Sequence, residues 1–237
     1  MSLDPSPADP QFSNPDDHEL EKPMVQAFDI AVIKGDGIGP EVTWEAIRAV
    51  EAAVDSAETT LQWTSYPWGT DYYLQHGQMA TPDYLDQLAR YDAILLGAIG
   101  HPDVQDNITL NGLLLPIRRQ FDQCVCLRPS YLYQGVESPL RDKPPGSIDI
   151  LVFRENTEGE YANVGGRLYP YMSHDVAIQT AVFTRHGCER IIRAAFVKAG
   201  TRRKKRVASI TKSNAQGYGM VLWDEVFAEV ASDYPNI

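Results

Sequence analysis

Short apolar runs alternate with helical hydrophobic patterns along the first part of the chain. The periods predict a strand at 28–34, a helix at 40–56, a strand near 60–66, a helix at 81–90 and a strand at 92–98. The first helix opens with Pro40 and Glu41, and Trp44, Ile47, Val50 and Val54 follow at helical spacing. This βαβαβ order implies a mostly parallel sheet with helices on its faces, the α/β class.

From about residue 112 the order changes. A helix carrying Arg118 and Arg119 leads to a strand near 124–133, a proline- and glycine-rich connection at 135–147 and a strand at 148–154. A glycine-rich excursion at 159–171, a strand-like 175–183, a helix at 184–199, a strand at 206–211 and a helix at 216–233 complete a second α/β unit. No repeat with a period of about 20 to 50 residues is visible, which argues against a solenoid. The expected division is a tail at 1–24, a first unit at 25–111 and a smaller second unit at 112–237.

Composition narrows the partners. The first 24 residues hold five prolines and six acidic residues with almost no aliphatics, too little apolar surface to offset ordering entropy, so a disordered tail is expected. They lack the basic start and apolar centre of a secretory signal, and are too acidic for a transit peptide. Cytoplasm is the expected compartment, and the sequon at Asn107 is then idle. No apolar run reaches the roughly 18 residues of a membrane span. A net charge of −11 repels nucleic acid and anionic lipid, so neither is an expected partner. An anionic substrate would need a local group of arginines. Cys124, Cys126 and Cys188 form neither a disulfide framework nor a metal-binding spacing, and read as reduced thiols.

The turn K-G-D-G-I-G-P-E-V, Lys34 to Val42, lies between the first strand and the first helix. A dinucleotide fingerprint needs G-x-G-x-x-G, whereas the glycines here are Gly35, Gly37 and Gly39. The spacing alone therefore describes a tight strand-to-helix turn. Four further segments change the picture: L-L-P-I-R-R at 114–119, L-R-P at 127–129, F-R-E-N-T-E-G-E-Y at 153–161 and S-I-T-K-S-N at 209–214. With the glycine turn these resemble, in order and spacing, the β-decarboxylating dehydrogenases, the isocitrate and isopropylmalate dehydrogenase family. Within that family the chain resembles the tartrate and D-malate dehydrogenase branch, through D-Y-Y at 71–73, G-A-I-G-H-P-D at 97–103, Gly165-Gly166-Arg167 and V-A-I-Q-T-A-V-F-T-R at 176–185.

The resemblance implies an isopropylmalate-dehydrogenase-like two-domain fold and NAD-dependent oxidative decarboxylation of a small 2-hydroxy dicarboxylic acid. The family's substrate arginines fall on Arg118, Arg128 and Arg154, whose planar forks suit two carboxylates. Its general base falls on Lys212 and its general acid on Tyr161. Ile38 and Asn111 fall beside the nicotinamide end of the cofactor. Relatives are dimers in which the lysine of one subunit enters its partner's site and the segment after Tyr161 clasps across the interface. A homodimer, or a heterodimer with a longer homologue, is therefore implied.

Relatives also hold Mg²⁺ or Mn²⁺ through aspartates downstream of the lysine, and the cofactor's adenosine through a later H-G-S-A-P-D segment. Both lie past the region that Ile237 closes here, so the expected metal ligands within the sequence are none. A C-terminal third is expected to be missing, baring an apolar face and favouring association. Asn111 replaces the usual Trp or Glu, Cys124 an aromatic and Cys126 a common Asn. Two readings follow: a decarboxylating dehydrogenase, or a non-catalytic paralogue that dimerises with and regulates a full-length enzyme. Two other patterns carry little. The S-x-x-K at 209–212 lacks the S-D-N and K-T-G of acyl-transferring serine enzymes, and the basic run 202–206 reads as a solvated connection.

Overall fold

A computed structural model describes residues 26–54 and 58–237. The expected tail at 1–24 and the last residues of the expected first helix lie outside them. Strand β1 (Gln26–Gly35) is the centre of a parallel three-stranded sheet of order β2-β1-β3, with β2 at Thr59–Tyr66 and β3 at Ala93–Ala98. Its central position explains its continuous apolar run: Ala31, Val32 and Ile33 are fully buried, covered on both faces. Helix α1 (Gly39–Ala53) packs across β1 and β3. It does so through Gly39, Thr43 and Ile47. Trp44 and Val50, expected on the packed stripe, are exposed instead.

Helix α2 (Thr70–His76) is not anticipated by any apolar period, and α3 (Tyr84–Leu88) is shorter than its predicted span. Both contribute to the first core, where Trp68, Met79, Leu88, Leu113 and Ile117 gather on Ala31 and Ile33. Full burial of a side chain such as Leu88 or Leu113 contributes about 1.5–3 kcal/mol.

The helical stretch after β3 begins six residues before its predicted start. It runs as α4 (Asp106–Thr109), a π-helical turn (Leu110–Leu114) and α5 (Leu115–Gln120). Pro116 has no N–H to give the Gly112 carbonyl, so the ladder widens there. A Cβ at Gly112 would lie 2.5 Å from Met79 Cγ, which holds this turn against the first core.

Two antiparallel ladders follow: β4 (Val125–Tyr131) with β5 (Asp149–Glu155), and β6 (Gly159–Leu168) with β7 (Val176–Val182). The glycine-rich excursion is thus mostly strand. Gly165 serves close approach rather than a turn, since a Cβ there would sit 2.1 Å from the Ile178 carbonyl oxygen. Helices α6 (Arg185–Gly200) and α7 (Gly219–Ser232) pack together, and α6 also packs on β5. Their second core contains Cys188, Ile191, Phe196, Val226 and Val230.

The predicted strand at 206–211 is absent: the segment is irregular and pairs with no strand among the described residues. Its alternation of apolar and polar residues meets no sheet edge, and Ile210 is 85% exposed. The segment is tied down instead by Trp223 of α7, whose indole N–H donates to Ser209 Oγ at 2.8 Å.

Candidate active site

At the carboxyl end of the parallel sheet, the glycine turn already contains an anion. Asp36 is buried, and its carboxylate accepts from the Thr70 N–H at 2.8 Å, the Thr70 hydroxyl at 2.7 Å and the Gly100 N–H at 2.8 Å. One side chain thus joins the ends of β1 and β3 to the start of α2. Gly35 is required beside it: its φ is +72°, and a Cβ would lie 1.9 Å from the Ala98 carbonyl oxygen. The turn's own N–H groups are engaged elsewhere: that of Asp36 donates to the Ala98 carbonyl at 2.7 Å and that of Gly39 to the Asp36 carbonyl at 2.8 Å. Ile38, just beyond, is exposed, and Asn111 stands exposed on the π-helical turn with its amide donating to the Asn107 carbonyl at 2.7 Å. They offer an apolar contact and an amide at the sheet's carboxyl end, where α/β folds hold ligands.

The arginines come from three elements. Arg118 lies in the last turn of α5, where the helix C-terminus favours a cation. Arg128 lies in β4 and Arg154 in β5. Cys126 is the direct cross-strand partner of Arg154, and Arg128, two residues on, shares its face. Arg128 Nε donates to Cys126 Sγ at 3.4 Å. Burial lowers the pKa of Arg118, and the charge of Arg154 lowers it further.

None of these three arginines has a carboxylate within ion-pairing distance among the described residues. The contrast with Arg167, Arg185, Arg190, Arg193 and Arg202, all paired, matters in so acidic a chain. A cleft of about 550 Å³ opens beside the group, lined by Arg118, Cys124, Cys126 and Asn156 among others.

Tyr161, in β6, is drawn to the same place. Arg154 Nη1 donates to its hydroxyl at 3.4 Å, and the guanidinium carbon stands 5.2 Å from the ring centroid. Local bonds at the β5–β6 turn enforce this. Glu155 accepts from the Thr157 N–H at 2.9 Å, the Thr157 hydroxyl at 2.8 Å and the Glu158 N–H at 2.6 Å. Glu158 in turn accepts from the Thr184 N–H and hydroxyl, and Thr184 caps α6.

Sequence reasoning assigned no role to two supports. Buried Asn156 accepts from Arg154 Nη2 at 3.0 Å and donates to the Gln123 carbonyl at 3.1 Å, fixing the guanidinium plane. Arg190 of α6 bridges Asp122, at 2.8 Å, and Thr157, at 2.6 Å. Asn156 sits inside the R-E-N-T motif, so a signal for it existed; Arg190 gave none.

Lys212 is not brought to this group. It is exposed, its carbonyl accepts from the Ala215 and Gln216 N–H groups, and its ammonium has no hydrogen bond or ion pair among the described residues. Nor does any cluster of three or more His, Cys, Asp or Glu among those residues have a metal-holding arrangement. The described residues do not fit a divalent cation. No described helix is long and apolar enough to cross a membrane.

Comparison with known proteins gives a consistent set. The isocitrate/isopropylmalate dehydrogenase family model matches residues 29–237. A probable tartrate dehydrogenase/decarboxylase of Agrobacterium vitis is 45% identical over 214 residues, covering 90% of this chain and 60% of the relative. A decarboxylating D-malate dehydrogenase of Escherichia coli is 48% identical over 216 residues, with the same coverages. The crystal structure of isocitrate dehydrogenase from Methylococcus capsulatus superposes with a TM-score of 0.74 at 27% identity, covering 89% of this chain and 58% of that one. The chain therefore spans about 60% of the length of the curated relatives it matches.

Proposed function

The chain belongs to the isocitrate/isopropylmalate dehydrogenase family, and on that premise we propose that it carries the substrate half of an NAD-dependent decarboxylating dehydrogenase for a small 2-hydroxy dicarboxylic acid of D-malate or tartrate type. The observation that supports this most is the group of three guanidiniums without carboxylate partners among the described residues, with Arg118 lining the adjoining cleft.

In this reading the two carboxylates of the substrate take the places left open on Arg118, Arg128 and Arg154, each able to accept paired N–H bonds. Asn156 keeps the Arg154 fork fixed, so little orientational freedom is lost on binding. The Tyr161 hydroxyl, held by Arg154, gives its proton to the substrate carbon left electron-rich when carbon dioxide departs. Lys212 accepts the proton of the C2 hydroxyl. Exposed and without a hydrogen bond or ion pair among the described residues, it serves a second copy of the chain, so the proposal includes a dimer. NAD, bound near Ile38 and Asn111, would supply the hydride acceptor. No step is assigned to a metal, because the described residues do not fit one. Residues 25–111 then form the N-terminal part of the large domain and 112–237 the smaller one. Helix α5 is shared between them, with Ile117 in the first core and Arg118 at the cleft.

The test is NADH formation from D-malate or tartrate in the presence of Mn²⁺, beside the Lys212→Ala variant. The reading predicts a substrate-dependent signal that the variant loses. A soluble protein giving no such signal, or one indifferent to the variant, would refute it.

A further inference from the structure

Two thiols line the arginine cleft, and the reaction proposed above uses neither. Their surroundings differ. Cys126 lies within β4 opposite Arg154, with the Arg128 Nε–H directed at its sulfur at 3.4 Å. Cys124 precedes the strand, its N–H turned to the Asp122 carbonyl at 2.7 Å. Cys188 is 2% exposed in the second core, where burial, then Glu158 and Glu155, push its thiol up. It has no access to solvent reagents.

Two observations make the Cys126 site one for an anion. Arg118, Arg128 and Arg154 gather there without carboxylates among the described residues. Arg154 also keeps its Nε buried without a hydrogen-bond partner among the described residues, so its charge is not offset locally. Partial burial raises the Cys126 pKa. The Arg128 hydrogen bond and the charges of Arg154, Arg128 and Arg118 outweigh it, and the thiol lies below its ordinary value.

We infer that Cys126 is a thiol–disulfide exchange site for small disulfides that carry carboxylates, captured on Arg118, Arg128 and Arg154. The thiolate attacks one sulfur of the disulfide. A bond from Sγ to that sulfur forms, the disulfide bond breaks, and its electron pair leaves with the second sulfur as a thiolate. The protein sulfur is oxidised and the departing sulfur reduced, so no further oxidant is needed. The mixed disulfide leaves a carboxylate among the guanidiniums and closes the cleft to a dicarboxylate; a small free thiol reverses it. This goes beyond the dehydrogenase reading, and stands or falls without any turnover.

The full chain is treated, in separate stopped-flow runs, with dithiobis(nitrobenzoate), a dianionic disulfide, and with dithiodipyridine, a neutral one. The labelled cysteine is then identified by peptide mass mapping. The dianionic reagent labels Cys126 first, at least about tenfold faster than Cys124, and salt slows it. Arg128→Gln reduces the dianionic-to-neutral rate ratio at Cys126 about tenfold. Labelling of Cys124 or Cys188 first, or the same rate ratio at Cys126 as at Cys124, overturns the inference. Both reagents act on the unsubstituted chain, so the result holds even if a variant fails to fold.

Discussion

Arg154 and Tyr161 hold one another: the guanidinium donates to the phenol oxygen at 3.4 Å while its carbon lies 5.2 Å from the ring centroid. One contact needs the hydroxyl and the other needs only the ring, so the two can be separated by a single-atom change.

Tyr161→Phe keeps the ring beneath the guanidinium and removes the proton donor. On the proposed function, steady-state kinetics should show kcat lowered by about 10²–10⁴ with KM within about twofold of the unsubstituted chain. A change in KM alone would mean that the phenol binds substrate and moves no proton.

Asp36 is the buried acceptor for three donors, two from Thr70 at the start of α2 and one from Gly100 after β3. Asp36→Asn replaces one carboxylate oxygen by an amide donor facing N–H or O–H groups. The urea midpoint should fall, equivalent to about 1.5–3 kcal/mol. Hydrogen exchange should rise at Thr70 and Gly100 before it rises in the second core. Uniform loss of protection across the chain would contradict this local role.

The Tyr66 hydroxyl lies 2.8 Å from that of Tyr91, and this hydrogen bond, with burial, pushes the Tyr66 pKa up to about 12 from 10.0. The folded state therefore holds this proton more tightly than the unfolded chain. Its stabilising contribution is complete below pH 10.0 and is lost as pH rises toward about 12. Urea unfolding at a series of alkaline pH values should show this decline, and Tyr66→Phe should flatten it. An unchanged slope in the variant would assign the alkaline limb to other groups.

The parallel sheet was legible because β1 is central and β3 is bounded by clear turns, and the arginines were legible because each sits in a compact motif. What pattern could not give was pairing. Ala208 to Thr211 alternates as a strand should, yet no sheet edge reaches it among the described residues. Gly165 and Gly166 read as loop, yet they lie in β6, where Gly165 lets two strands come close. Helix α2 forms because Asp36, distant in sequence, binds its first N–H. The placement of Cys126 opposite Arg154 follows from a ladder joining segments almost thirty residues apart, which no local signal sets.

The central claim is that Arg118, Arg128 and Arg154, which have no carboxylate partner among the described residues, hold a dicarboxylate. Titration calorimetry of D-malate against the unsubstituted chain, Arg128→Gln, Arg154→Gln and the exposed control Arg203→Gln tests it without requiring turnover. Binding should weaken by about tenfold or more in the first two variants and be unchanged in the control. Equal affinity across all four proteins, or no binding to the unsubstituted chain, would contradict it.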